Sequence, residues 1–452
     1  MAPHPLAVLR TSAGLSHPAY ARLIAETHAR LGFGTMAARR EKISRWESGR
    51  TVPEISTQLA IAEVHGVSAQ DVRRLGWPHW LHLATDDAAL LEQPWTRRGA
   101  ITAARSTSQP SRAGARSYLA VTGTVLDAQV KKALTALADP QRPHAQEGRR
   151  VTPRLLAGIE ARLRALEAQG AGASVTPTAL RHAAGAEHRL ITGLLHNGGY
   201  AHPTGVRLLL LATRTAVLCG YLGGCTGDEG GAERYNLAAL RTASAAGSRP
   251  YTAVALSHLV IRHLISGDAR DALSLLTAVR SLVPRPFPRC DASLLMHEAV
   301  ALARVGEETP SMRAMDRAAA LVTAAPDEGA PVDTVAVRID EDHLTFGYGN
   351  AWQCLGRHKR ALAHFAPLFA PASAQPPPHT ARRILHAVDA YLAVGDVDAA
   401  AECAHHAVDI LGSLPPGLAD QYRRRFAPHR TASCVGDLLR RLPGNPSQCP
   451  RA

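Results

Sequence analysis

Along the first eighty positions apolar residues recur every three or four steps: Leu6, Leu9, Leu15, Tyr20 and Leu23, then Ile43, Trp46, Leu59, Ile61, Val64, Val67, Val72 and Leu75. That spacing is the period of a helix with one buried face, and no strand-like alternation competes with it. It predicts a compact body of short helices over residues 3–84. Residues 95–117 then read WTRRGAITAARSTSQPSRAGARS. Arg, Ser, Ala and Gly dominate and the few apolar residues keep no period, so this stretch is expected to be a flexible basic linker. A second break, DPQRPHAQEGRR, covers residues 139–150. From 118 to 442 nearly every segment returns to the helical period, as in LLAGIEARLRALEAQ, TAVALSHLVIRHLIS, DALSLLTAVRSLV and AAAECAHHAVDIL. The predicted fold class is all-α.

The turns inside this long region resemble one another. SGDARDAL, VGEETPSM, LGRHKRAL and VGDVDAAA carry Gly267, Gly306, Gly356 and Gly395, spaced 39, 50 and 39 residues apart. In three of them an alanine follows five residues later: Ala272, Ala361 and Ala400. Physically, the glycine ends one helix in a left-handed turn, and the small alanine lets the next helix pack closely back on the first. The recurrence predicts a solenoid of helical hairpins and resembles the tetratricopeptide-repeat family, with a longer and less regular spacing than that family shows.

Composition changes the picture in three places. The hydrophobic share is 46% and the charged share 20%, which suits a folded protein, and 452 residues suit two or three domains. Aromatics are only 4%, so the core is expected to rest on Ala and Leu. The formal charge of +13 favours a polyanionic partner, although the basic residues are almost all Arg and part of that bias reflects coding. Seven scattered cysteines, with no CxxC, suggest reduced buried thiols and a cytoplasmic location rather than a disulfide framework. Arg10 interrupts the start where a secretory signal would stay apolar. GVRLLLLATRTAVLCGYLGGC, residues 205–225, is broken by Arg207 and Arg214, and is expected to be a buried bundle helix rather than a membrane span.

Residues 43–53 read ISRWESGRTVP, a tryptophan inside a polar, basic run. Ile43 and Trp46 are three apart and share one helical face, so that face packs inward while the other stays polar. Gly49 is expected to end this helix, placed at residues 35–48, and Pro53 to restart the chain in extended form. Together with LRTSAGLSHPAYARLIAE and LAIAEVHGVSAQDVRRLGW, the segment resembles the helix-turn-helix family of phage repressors and their xenobiotic-response-element relatives. The matching residues are Arg10, Gly14, Leu15, Ser16, Ile43, Ser44, Trp46, Glu47, Gly49, Pro53, Leu59, Ala60, Ala62, Gly66 and Val67. The match covers about the first 75 residues.

The resemblance implies that this third helix reads DNA. Arg39, Arg40, Glu41, Ser44 and Arg45 are the expected base contacts, since Arg reads guanine bidentately and Ser reaches several base edges. His17, Lys42, Arg50 and Thr51 are the expected phosphate contacts. His17 departs from the family's usual polar residue there. Arg10 and Glu47 occupy positions that the family uses for a partly buried ion pair, worth ~3 kcal/mol if broken. Another departure is length: 28 residues separate Leu15 from Ile43, roughly a dozen more than the family's pattern. Either the second helix is extended or the turn is a loop hinged at Gly32 and Gly34.

Other chemistry is sparse. There is no HExxH, His258 and His263 lie five apart and off one face, and His405 and His406 point apart, so no metal is expected. No phosphate-binding loop, nucleophile elbow or dinucleotide fingerprint occurs, and neither enzyme activity nor a cofactor is expected. The resemblance implies a regulator of the actinobacterial type, with an N-terminal DNA reader and a C-terminal helical-repeat domain that senses a peptide, small molecule or protein, or mediates dimerisation. Double-stranded DNA and a second copy are the expected partners. The alternative is a repeat scaffold that binds proteins and reads no specific DNA.

Overall fold

The structure, a computed structural model, describes residues 4–84, 88–109, 119–138, 147–171, 176–284, 287–324, 339–369 and 377–443. It is predominantly helical. The described strands are two residues long: β1 (Arg149–Arg150) pairs in parallel with β2 (Gly198–Gly199). The boundaries expected at residues 3 and 118, and residues 110–117 of the expected linker, lie outside the described residues.

The first body contains α1 (Pro5–Ser12), α2 (His17–Arg30), α3 (Arg40–Glu47), α4 (Ile55–Val64), α5 (Ala69–Leu75) and a 3-10 turn, His79–Ala84. Local chemistry starts these helices: the Ser16 hydroxyl accepts from the Ala19 N–H, and Ser68 accepts from Asp71 N–H. Leu6, Leu9, Tyr20, Ile43, Trp46, Ile61 and Val72 meet in one buried cluster, joined by Ala21, Ile24 and Ala60. Leu15, Leu59, Val64, Val67 and Leu75 pack around its edge. Trp80 and Leu81, from the 3-10 turn, are also fully buried. The buried indole N–H donates to Gln58 Oε1 at 3.1 Å, and Gln58 Nε2 donates to the Pro53 carbonyl at 2.8 Å. A single turn holds too few positions to show a period, so Trp80 carried no signal in the pattern.

The expected linker is corrected here. After α6 (Ala88–Leu91), residues Arg97–Thr107 form α7, capped by Thr96 Oγ1, which accepts from the Gly99 N–H at 3.1 Å. Ala100, Ile101, Ala103, Ala104 and Thr107 form its buried face. Arg241 anchors the approach, donating to the carbonyls of Gln93 (2.8 Å) and Leu91 (3.0 Å) and stacking on the Trp95 ring at 4.4 Å. Alanines defeated the periodicity reading because each buries little surface. They suffice when the facing helix is itself Ala-rich and both backbones approach closely.

The rest of the chain continues as α8 (Gly123–Ala138), α9 (Pro153–Ala171), α10 (Pro177–Asn197), α11 (His202–Cys225), α12 (Glu229–Ala245), α13 (Arg249–Ser266), α14 (Ala269–Leu282), α15 (Pro288–Arg304) and α16 (Glu308–Ala324). It ends with α17 (Glu341–Cys354), α18 (His358–Phe365), α19 (Thr380–Ala393), α20 (Val397–Leu411), α21 (Pro416–Phe426) and α22 (Ser433–Arg441). Successive helices pack in pairs, α11 on α12, α13 on α14, α15 on α16, α17 on α18 and α19 on α20. The first members also touch in series: α11 with α13, α13 with α15, α15 with α17, α17 with α19.

The recurring turns join the two members of these pairs. Gly306, Gly356 and Gly395 have φ of 89°, 73° and 85°, the left-handed region that favours glycine. Gly267 differs from the expectation: its φ of −116° is extended. What demands glycine there is space, because a Cβ would lie 2.6 Å from His263 Nδ1 and 3.0 Å from Leu119 Cδ1. Ala272, Ala361 and Ala400 are all fully buried. In the fourth turn the same place holds Ser311, also fully buried, whose hydroxyl donates to the Ala299 carbonyl across the pair at 2.8 Å. A further copy escaped the pattern reading: Gly227 (φ 81°), forty residues before Gly267, is followed five residues on by buried Ala232.

α11 is long and apolar enough to cross a membrane by length and composition, yet 89% of its apolar window is buried inside the protein. It is a core helix. Gly223 lets α12 approach so closely that a Cβ would sit 3.3 Å from the Ala232 nitrogen. Arg214, which interrupts its apolar run, is satisfied by Glu167 of α9, with Nε to Oε1 at 3.0 Å. Cys219, Cys225 and Cys403 are buried free thiols, and the described cysteines form no disulfide.

Candidate nucleic-acid interface

The third helix begins later than expected, at Arg40 rather than residue 35. Arg39 is its N-cap, in extended conformation with φ −100° and ψ 127°. Residues 34–39 are non-helical. Both alternatives for the extra length are realised in part. α2 runs fourteen residues to Arg30, and a loop through Gly32 (φ 79°) and Gly34 (φ 84°) follows it.

That loop is pinned at its base. His28 lies 3.0 Å from the Gly34 carbonyl through Nδ1 and 3.1 Å from Ser56 Oγ through Nε2, tying the end of α2 to α4. The Phe33 ring tilts over the same imidazole at a centroid distance of 5.4 Å, and Thr57 Oγ1 donates to Met36 Sδ at 3.7 Å. His28 is a site residue that sequence reasoning missed. Its partner lies 28 positions on and belongs to no local motif.

α3 divides cleanly into two faces. Ile43 is fully buried and Trp46 is 7% exposed, while Arg39, Arg40, Glu41, Ser44 and Arg45 all face solvent. Lys42 is half-buried, and Arg50 and Thr51 are exposed just beyond the helix. Gly49, at φ 69°, closes the end: its N–H donates to the Trp46 carbonyl, and the Arg50 N–H reaches back to the Arg45 carbonyl at 3.0 Å. The turn therefore brings the Arg50 backbone back against Arg45.

The charge on this face is largely unspent. Glu41 sits 3.6 Å from Arg40, an exposed pair worth little in water. Among the described residues no carboxylate lies within ion-pair distance of Arg39, Arg45 or Arg50.

The inner end of α3 is tied down by Glu47. Arg10 Nε donates to Glu47 Oε1 at 2.6 Å and Nη2 to Oε2 at 3.1 Å, while Nη1 donates to the Leu15 carbonyl at 2.8 Å. Both side chains are about nine-tenths buried. His17 Nε2 lies 2.9 Å from Glu47 Oε2. The ring nitrogen expected to meet a phosphate is thus occupied within the protein, and His17 serves to brace α2 against α3. One carboxylate thereby gathers the first three helices.

Behind them, the Tyr20 hydroxyl and His65 Nε2 lie 2.7 Å apart, linking α2 to the end of α4. Burial lowers the His65 pKa to about 4, so this imidazole is neutral at pH 7. The arrangement supplies a platform with four cationic side chains, Arg40, Lys42, Arg45 and Arg50, on a helix and its following turn.

Among the described residues no group of three or more His, Cys, Asp or Glu is arranged to hold a metal ion. No protein-family model matches this chain, and no curated protein matches it at a significant level.

Proposed function

We propose that this chain is a DNA-binding regulator of the repressor-like helix-turn-helix type, carrying a tetratricopeptide-like repeat body that senses a ligand or partner or mediates dimerisation. The observation that carries the reading is the division of α3. Ile43 and Trp46 anchor it, and Arg39, Arg40, Ser44 and Arg45 face outward; among the described residues the exposed Glu41 lies within ion-pair distance of Arg40, and no carboxylate does so for Arg39 or Arg45. A guanidinium held rigidly on a helix is suited to the O6 and N7 of guanine in the major groove. Arg50 and Thr51, on the turn after the helix, suit the phosphate backbone.

In this reading Arg10, Glu47 and His17 hold the reading helix at a fixed angle. Dimerisation through two-fold symmetry gives enough surface for specificity, because one small reader buries too little by itself. The test is selection from genomic fragments by the purified full-length protein at two salt concentrations, followed by sequencing. The expected result is an enriched motif with half-sites near one helical turn apart, and affinity falling by roughly a thousandfold between low and moderate salt. Binding to proteins with no DNA retained at low salt would overturn the proposal in favour of a repeat scaffold.

A further inference from the structure

The first members of the helical pairs, α11, α13, α15, α17 and α19, together with the end of α9, line an open-mouthed cavity of about 580 Å³. Its size is that of sites for drug-sized molecules. Ile261, Ile265, Met296, Val300 and Phe346 give it apolar walls. Three arginines reach it: Arg262, Arg382 and Arg383.

Two of them are already satisfied. Glu229, at the start of α12 and fully buried, lies 2.9 Å from Arg262 Nη1 and also pairs with Arg382, which in addition donates to the Gly224 carbonyl at 2.7 Å. The carboxylates on the cavity wall are taken as well. Glu167 is held by Arg214, and Asp340 lies 2.6 Å from His343 Nδ1 while capping α17.

Arg383 is left over. Its guanidinium stacks on the Phe346 ring at 4.8 Å, and among the described residues no carboxylate lies within ion-pair distance. Burial lowers its pKa to about 10, so it remains charged at neutral pH. Asp340 and Asp342 act on it only from beyond contact, so this largely buried cation is partly compensated, and an anion brought against it supplies the missing contact. A second polar group on the same wall is also unspent: His297 is 8% exposed and its Nδ1 has no hydrogen-bond partner among the described residues. Burial holds His297 neutral, with a pKa of about 4, so its ring offers one N–H to a ligand oxygen.

We infer that this cavity binds a small amphipathic organic acid, its single anionic head on Arg383 and its apolar body along Phe346, Met296 and Val300. One cation that Asp340 and Asp342 influence only from beyond contact matches one negative charge. A di- or triphosphate would need the arginines that Glu229 already occupies. The consequence for regulation rests on the repeat body being the sensor of the proposed regulator, but binding itself does not depend on DNA.

The test uses full-length protein and two fluorescent probes of similar body. 8-Anilinonaphthalene-1-sulfonate carries one negative charge, and N-phenyl-1-naphthylamine carries none. The anionic probe is expected to saturate one site per chain at about tenfold higher affinity than the neutral probe, the ratio that one desolvated charge contact gives. Arg383→Ala should remove that ratio while leaving the neutral probe within about twofold, and Arg383→Lys should retain most of it. Val300→Trp, which crowds the wall where the apolar body would lie, should weaken binding of both. Equal affinities in the wild type, or an Arg383→Ala protein that keeps the preference, would overturn the inference. Because the assay contains no DNA, a failure of α3 to read DNA leaves this result untouched, and the reverse holds.

Discussion

Glu47 is one carboxylate serving three helices, and its removal separates two roles that the α3 face otherwise blends. Glu47→Ala leaves Arg10 buried without its counter-ion, keeping only the bond to the Leu15 carbonyl, and should destabilise the N-terminal body by about 3 kcal/mol. Urea unfolding followed by Trp fluorescence checks this, since Trp46, Trp77 and Trp80 all pack in that body; an unchanged midpoint would show that the pair is idle. The outward arginines should behave differently. Arg45→Ala should weaken binding to the selected motif by ~1–3 kcal/mol and relax the preference at one base pair, with stability unchanged. Arg50→Ala should weaken binding to all sequences alike and lower the salt dependence. Equal losses on motif and non-motif DNA for Arg45→Ala would reassign it to the backbone. At this scale the sequence was informative about which residues lie on each face of α3, because a three-residue step fixes a face. It was misleading about His17, because its use depends on Glu47 thirty residues away.

At the scale of elements, the helical pairs depend on small residues where two backbones cross. Ala400 follows the turn at Gly395 and is fully buried. Ala400→Leu should force α19 and α20 apart and cost about 1–3 kcal/mol by overpacking. Gly395→Ala meets no neighbour within 4 Å and is strained only by its positive φ, so it should cost about 1 kcal/mol. Thermal unfolding of the two variants gives the comparison; a larger loss at Gly395 would mean that turn geometry, not close packing, sets the pair. α7 is the counterexample to reading elements from apolar period. Its alanines looked like linker until the surface of α12 was brought against them, and its length and polarity give no local sign of that docking. The short start of α3 has a similar origin. Residues 35–39 carry helix-compatible side chains, but the loop is held extended by contacts from His28 and Thr57 on either side of it.

Across the whole molecule, buried neutral imidazoles tie stability to pH. His65, His188, His263 and His297 have pKa values lowered to about 4 by burial, and His386 to about 3. Each belongs to a different helix. In the unfolded chain they take a proton near pH 6.5, while the folded state refuses it until far lower. Their stabilisation is therefore fully present above about pH 6.5 and is lost progressively as pH falls toward 4. Calorimetry should show Tm nearly level from pH 7.5 to about 6.5 and falling steadily from there to pH 5, and a flat profile below about 6.5 would contradict the burial of these rings. The same long-range closure explains Glu229, which joins α12 to α13 and α19 across more than 150 residues of chain.

What the sequence determined by itself is whatever depends on neighbours within a few positions. The helical period, the inward Ile43 and Trp46, and the Gly-to-Ala step of the recurring turns all lie within one or two turns of helix. The fold class followed from these, as did the buried character of α11, where Arg207 and Arg214 stood inside the apolar run. Tertiary structure alone decided the docking of α7, the bracing of α3 through Glu47 and His17, and the pinned loop after α2. It also decided that Arg262 and Arg382 share a carboxylate while, among the described residues, none lies within ion-pair distance of Arg383. Each of these depends on side chains brought together from distant parts of the chain, where the strength of a contact is set by burial and distance rather than by spacing in sequence.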